Sequence, residues 1–248
     1  METSEITRQC ATHGDYVAKL VHIGGRSMGG SCPTCQRERE AAEMARAALA
    51  QAEAERRRIE HLFNRAGIPP RFQKRSFDNY EAKTEGQQRA LRVSRTYVES
   101  WDSVAEHGTC LIFSGQPGTG KTHLACAIAN ALIAKGVASL FTTVSDAMRS
   151  IKRSYDPSSS MSESEAIQSF VDPRLLILDE VGGSKGSEHE MQLMFDIINK
   201  RYEHARPTLI LTNLDATALR EHLGERVTDR LREGGGKLVT FTWASHRS

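Results

Sequence analysis

Five short apolar runs punctuate the later part of this chain: Cys110–Ser114, Ala138–Thr143, Leu175–Asp179, Thr208–Thr212 and Leu238–Trp243. Each is brief and poor in charge, the pattern of a strand buried on both faces. Stretches with helical spacing separate them, at about 120–135, 145–154, 188–204 and 215–233. Such alternation predicts an α/β fold, a parallel sheet with flanking helices. The Ser-rich segment Asp156–Ser164 interrupts the alternation and reads as a mobile insert.

Upstream the pattern changes. Residues 37–63 lack Gly and Pro and are dense in Ala, Arg and Glu, which predicts a long helix. Its positions Ala41, Ala45, Ala48, Ala52, Glu55, Ile59 and Leu62 form a heptad-like stripe. Ala is a weak knob and Glu55 interrupts the seam, so a solvated connecting helix and a self-associating coil both stay open. Gly67, Pro69 and Pro70 end it. Residues 1–36, rich in Gly, Cys and His, read as a small loop-rich module. The expected organisation is a module over 1–36, a helical linker over 37–66 and an α/β domain over 67–248.

One motif stands at the end of the first apolar run. Gly115-Gln116-Pro117-Gly118-Thr119-Gly120-Lys121-Thr122, followed by His123, matches the P-loop pattern between a strand and a helix. Glycines let backbone N–H groups wrap a phosphate where side chains would clash, and the helix N-terminus adds its dipole. Lys121 is expected to reach the β- and γ-phosphates of ATP, and the Thr122 hydroxyl to ligate Mg²⁺. The third run delivers Asp179 to a strand end beside the P-loop, where a carboxylate holds Mg²⁺, and Glu180 follows to polarise the attacking water. Asn213 ends the fourth run and is a candidate contact to the γ-phosphate or that water; on its own it would equally start a turn.

The first 36 residues carry a second constellation. Cys10-x2-His13 and Cys32-x2-Cys35 are paired-ligand knuckles, and Cys₃His is a structural zinc set. Zinc would fold a segment too small to bury a core of its own. His22 competes as the nitrogen ligand. Cys110 and Cys126 read as buried small side chains.

Composition narrows the rest. The 248 residues are 26% charged and 39% hydrophobic with a formal net charge of +2, so charge alone gives no dominant grip on nucleic acid. The N-terminus shows no secretory pattern, and the longest apolar stretch, Leu124–Ala134, is too short to span a bilayer. A cytoplasmic location without membrane partners is the expectation.

The strings GQPGTGKTHLA, LLILDE, LILTN and GERVTDRLREGG together resemble the DnaC/IstB branch of the AAA+ ATPases. His61–Pro69, Phe77–Tyr80 and Phe241–Arg247 extend the likeness from about residue 61 to the end, and it is nearer to helicase loaders than to transposition helpers. The resemblance implies an AAA+ sheet and an ATPase that self-associates into a ring or spiral; the sequence ends one residue after Arg247, so the separate helical lid of full-size AAA+ proteins is expected to be missing, a departure from the family pattern. It would deliver a ring-shaped replicative DNA helicase onto single-stranded DNA. It implies an arginine reaching a neighbour's nucleotide, best placed at Arg230 with Arg226 second, and a γ-phosphate sensor at Arg247. It also implies DNA contacts along segments lining a central pore, here Tyr155, Ser187 and His189. Two alternatives stand beside this: a transposition helper acting on duplex DNA, and a zinc-dependent DNA-binding adaptor with weak ATPase activity.

Overall fold

The computed structural model describes residues 2–23, 26–183 and 187–245. Lys185 and Arg247 lie outside them. The chain divides into two compact units, Met1–Arg57 and Arg58–Ser248.

In the first unit, β1 (Glu2–Cys10), β2 (Gly14–Ile23) and β3 (Arg26–Gly29) form an antiparallel meander in the order β1-β2-β3. This corrects the expectation of a loop-rich module. Burial alternates along β1 and β2 at the two-residue period of a strand, with Ser4 and Ile6 in β1 and Tyr16, Ala18 and Leu20 in β2 more covered than their neighbours; the apolar Val17 and Val21 on the other face hide that period in the sequence. The helix α1 (Pro33–Arg65) starts four residues earlier than expected. Pro33 is tolerated there because the first helical N–H has no partner to lose. The stripe residues Ala41, Ala45, Ala48, Ala52 and Glu55 are exposed.

The second unit opens with the last turns of α1, whose Ile59, Leu62 and Phe63 pack on its core. A strap over residues 66–84 follows, then α2 (Glu85–Glu99) and α3 (Trp101–His107). The sheet comprises β4 (Leu111–Gly115), β5 (Ser139–Thr143), β6 (Leu175–Val181), β7 (Thr208–Thr212) and β8 (Lys237–Phe241), all parallel, in the order β5-β6-β7-β4-β8. The helices are α4 (Lys121–Ala134), α5 (Val144–Arg153), α6 (Glu163–Val171), α7 (Glu188–Glu203), α8 (Ala216–Leu223) and α9 (Glu225–Arg232).

Alternate strand residues enter two separate cores. Leu111, Phe113, Leu175, Ile177, Leu209 and Leu211 join one, with α2 and α4. Ile112, Leu176, Leu178 and Ile210 join the other, with α5 to α9. That is why the strands read as continuous apolar runs: both faces are covered.

Two features depart from the expectations, and a third, Arg201, carries no signal in the sequence. The Ser-rich segment ends in a helix start, because Ser162 caps α6 in a capping box with Glu165. The single helix expected at 215–233 is two, broken at Gly224. Arg201, which resembles a solvated last-turn cation of α7, is fully buried. Its guanidinium donates to the carbonyls of Phe170, Val171, Pro173 and Pro207 and to the Thr208 hydroxyl, tying α6 and two strand starts together. No helix of the described residues is long and apolar enough to cross a membrane.

Candidate functional site

The strand ends of β4, β6 and β7 meet at one cleft of about 710 Å³. The P-loop leaves β4 through Gly115, at φ +151°, where any Cβ would run into the Phe241 carbonyl of β8. It enters α4 through Gly120, at φ +95°, where a Cβ would sit 2.9 Å from the Tyr80 ring. Only glycine fits both places. The Lys121 ammonium folds back onto the loop it serves, donating to the carbonyls of Gly115 (2.6 Å) and Gln116 (2.9 Å) and to Asn213 Oδ1 (3.0 Å). Thr122 Oγ1 donates to Asp179 Oδ2 at 3.1 Å. Lys121, Thr122, Asp179, Glu180 and Asn213, drawn from three strand ends, thus line one cleft with Pro117, Gly118, Gly120 and His123. Thr119 is buried behind it, and its hydroxyl donates to the Gln116 carbonyl.

Asp179 and Glu180 are presented by a distortion of β6. The register against β7 shifts between Leu178 and Val181, and Glu180 has a left-handed φ of 61°. Such backbone is costly for a residue with a Cβ, by roughly 1–3 kcal/mol, and clusters at functional sites. Glu180 N donates to Asp179 Oδ1 at 2.7 Å. Burial holds the Asp179 carboxyl above its ordinary pKa, the direction a bound cation would reverse.

Part of the cleft lay beyond sequence reasoning. Arg71, Arg75, Tyr80 and Lys83 of the strap line it; no motif marks the three cations, and Tyr80 falls in the Phe77–Tyr80 string without a role at the cleft being legible there. The strap is tied to α4: Asn130 Nδ2 donates to the Gln73 and Arg75 carbonyls (3.1 and 2.8 Å), and His123 Nε2 lies 3.0 Å from the Ser76 carbonyl. Tyr80 packs edge-on against the His123 ring, and burial pushes its hydroxyl up to about 12. From the other side Trp243 Nε1 donates to the Thr119 carbonyl at 2.8 Å, bracing the P-loop.

The arginines lie elsewhere. Arg226 is exposed on α9, and Arg230 lines a recess with Gly108 and Cys110 beside the start of β4, whereas the P-loop follows its end. Five strand residues span roughly 16 Å, so Arg230 is out of reach of its own chain's cleft.

Tyr155, Ser187 and His189 come together where α5 ends and α7 begins. Tyr155 Oη lies 2.8 Å from His189 Nε2, and Lys152 pairs with Glu190 at 2.8 Å. Ser187 is the N-cap of α7, its hydroxyl accepting from Glu190 N.

In the first unit, the Sγ atoms of Cys10, Cys32 and Cys35 lie 3.7, 3.8 and 3.3 Å from His13 Nδ1, and the four ligand atoms all fall within 4.8 Å of one another. Tetrahedral zinc with Zn–S near 2.3 Å needs ligand atoms about 3.5–3.8 Å apart. Backbone N–H groups of Thr12 and His13 lower the Cys10 thiol to about 6. Both nitrogens of His22 instead meet serine hydroxyls, of Ser4 (2.7 Å) and Ser27 (2.9 Å), so of these two histidines it is His13 whose nitrogen joins the three sulfurs.

Comparison with known proteins gives four findings. A family model described as IstB-like ATP binding protein matches residues 40–231. The replicative helicase loader DnaC of Escherichia coli (strain K12) is 39% identical over 203 residues, covering 82% of this chain and 81% of that protein. The DnaC loader of Buchnera aphidicola subsp. Acyrthosiphon pisum is 37% identical over 77% of this chain and 76% of its own length. A crystal structure of the DnaC helicase loader superposes with a TM-score of 0.63 at 28% identity, over 70% of this chain and 99% of that one.

Proposed function

The chain belongs to the IstB-like ATP-binding family of AAA+ P-loop proteins, and we propose that it is an ATPase that loads a ring-shaped replicative DNA helicase onto single-stranded DNA. The observation that carries the loader reading is the likeness to DnaC proteins across the whole ATP-binding unit. It also disfavours the transposition helper. Against a vestigial ATPase stands the cleft itself, in which ammonium, hydroxyl, two carboxylates and an amide converge.

In this reading the P-loop amides and Lys121 bind the phosphates, exchanging the carbonyl contacts of Lys121 for phosphoryl oxygens. Thr122 and Asp179 offer hard oxygen donors suited to Mg²⁺, which would neutralise charge on the β- and γ-phosphates. Glu180 orients water against the γ-phosphoryl group while Asn213 contacts that group. Arg230, remote from its own cleft, serves the nucleotide of the next subunit in a ring or spiral, with Arg226 as the second choice. The Cys10, His13, Cys32 and Cys35 cluster holds one structural Zn²⁺. Tyr155 and His189 stack against bases of the single strand.

The test separates binding from turnover. Lys121→Ala should abolish binding of a fluorescent ATP analogue and ATP-dependent capture of the cognate replicative helicase. Glu180→Gln should bind ATP normally and hydrolyse it at least tenfold more slowly, an order-of-magnitude expectation for losing the water-orienting group. Wild-type turnover in Glu180→Gln would remove the assigned chemistry; helicase capture indifferent to both ATP and Lys121→Ala would remove the loader switch.

A further inference from the structure

Arg230 is held by aromatic rings rather than by an acid. Phe195 and Tyr202 stand seven residues apart on α7, two turns along one face. The Arg230 guanidinium lies 5.2 Å from the first ring centroid and 5.5 Å from the second. No ion pair among the described residues engages it, and its Nη1 is buried without a hydrogen-bond partner.

The difference between a ring and a carboxylate matters for a cation that acts on another molecule. A carboxylate would consume the guanidinium's N–H donors, offset its charge, and have to be broken before a phosphoryl group was engaged. A ring face attracts the cation through its quadrupole and takes none of the in-plane donors. It also fixes the plane of a side chain that would otherwise have several rotors to order on engagement.

We infer that Phe195 and Tyr202 form a positioning clamp that fixes the plane of the Arg230 guanidinium for the nucleotide of a neighbouring subunit. The inference rests on the reading of Arg230 as acting in trans. Neither ring touches nucleotide; both act through Arg230.

The experiment uses the full chain with ATP, Mg²⁺ and a single-stranded oligonucleotide. Tyr202 is 41% exposed, so Tyr202→Leu should fold, which a thermal melt verifies. It should lower the turnover number about tenfold, the scale of a misplaced catalytic group, with ATP-analogue affinity within about twofold of wild type. Tyr202→Phe, which keeps the ring, should keep turnover. Mixing Tyr202→Leu with Lys121→Ala protein should restore activity, because the latter supplies an intact Arg230 and clamp to a working ATP cleft. A merely structural role for Tyr202 would not yield to that mixing.

The outcomes are distinguishable. If Arg230→Ala is inactive and Tyr202→Leu turns over like wild type, the clamp is overturned and Arg230 stands. If Tyr202→Phe is as slow as Tyr202→Leu, or mixing restores nothing, the clamp is likewise overturned. If Arg230→Ala itself turns over like wild type, the trans reading falls and takes the clamp with it.

Discussion

Leu111, Phe113, Leu176 and Ile210 in the sheet of the ATP-binding unit are entirely covered, while the N-terminal sheet buries only Ala18 and Leu20 of its described residues. One sheet is roofed on both faces by helices; the other is a three-stranded meander beside a thiol and imidazole cluster. Each apolar side chain fully buried is worth roughly 1.5–3 kcal/mol, so the larger unit has ample means to hold itself together. Two or three such residues cannot offset the ordering of a meander. The N-terminal unit has little besides its cluster for cohesion, whereas the polar residues that line the cleft of the ATP-binding unit are not what holds that unit together.

Metal removal is the strongest way to break that comparison. Structural zinc contributes on the order of 10–16 kcal/mol in small domains, more than the apolar side chains of this module supply. Purified protein should hold about one Zn²⁺ per chain, as a closed four-ligand site requires. Chelation, or Cys32→Ser with Cys35→Ser, should erase hydrogen-exchange protection over β1 to β3 while the melting of the ATP-binding unit stays put. Persistent protection of β2 in metal-free protein would mean that the sheet coheres by packing after all.

The same contrast governs what was legible in the sequence. The P-loop, Asp179, Glu180 and Asn213 could be read because each follows directly from an apolar strand whose end fixes its position. The cluster of Cys10, His13, Cys32 and Cys35 could be read from spacing, though the choice of His13 over His22 needed the serine partners of His22. Arg71 and Arg75 of the strap were silent, and Tyr80 gave no hint of its place at the cleft, because that place depends on Asn130 and His123 more than 40 residues away. Arg201 was misleading: it stands where a helix-end cation is ordinarily solvated, and only the fold reveals the carbonyls converging on it.

DNA contact sharpens the comparison at intermediate size. If the ATP-binding unit carries it, Tyr155→Ala with His189→Ala should weaken single-strand binding by about 1–3 kcal/mol per stacked base, read by fluorescence anisotropy with ATP present. The Tyr155–His189 contact keeps both rings at one surface, so they are best removed together. Cys32→Ser with Cys35→Ser should leave that affinity unchanged. The reverse pattern would move the DNA contact to the N-terminal unit.

The smallest expected effect lies within the cluster. A neutral imidazole carries one proton, and the partner of one nitrogen decides which nitrogen keeps its lone pair. Here Nδ1 of His13 faces the three sulfurs, and Nε2 meets Glu38 Oε1 at 3.0 Å. Glu38 accepts from Nε2–H, which leaves Nδ1 free to ligate. As an ion pair the contact is too exposed to add much stability, so its influence should appear in metal affinity instead. Glu38→Ala should weaken zinc binding about tenfold, equivalent to about 1.4 kcal/mol, in competition with a chromophoric chelator. Glu38→Gln, whose amide oxygen still accepts from Nε2–H, should stay near wild type. Equal affinity in all three proteins would mean that solvent orients His13 as well as Glu38 does, and that Cys10, Cys32 and Cys35 alone determine how tightly the module holds its ion.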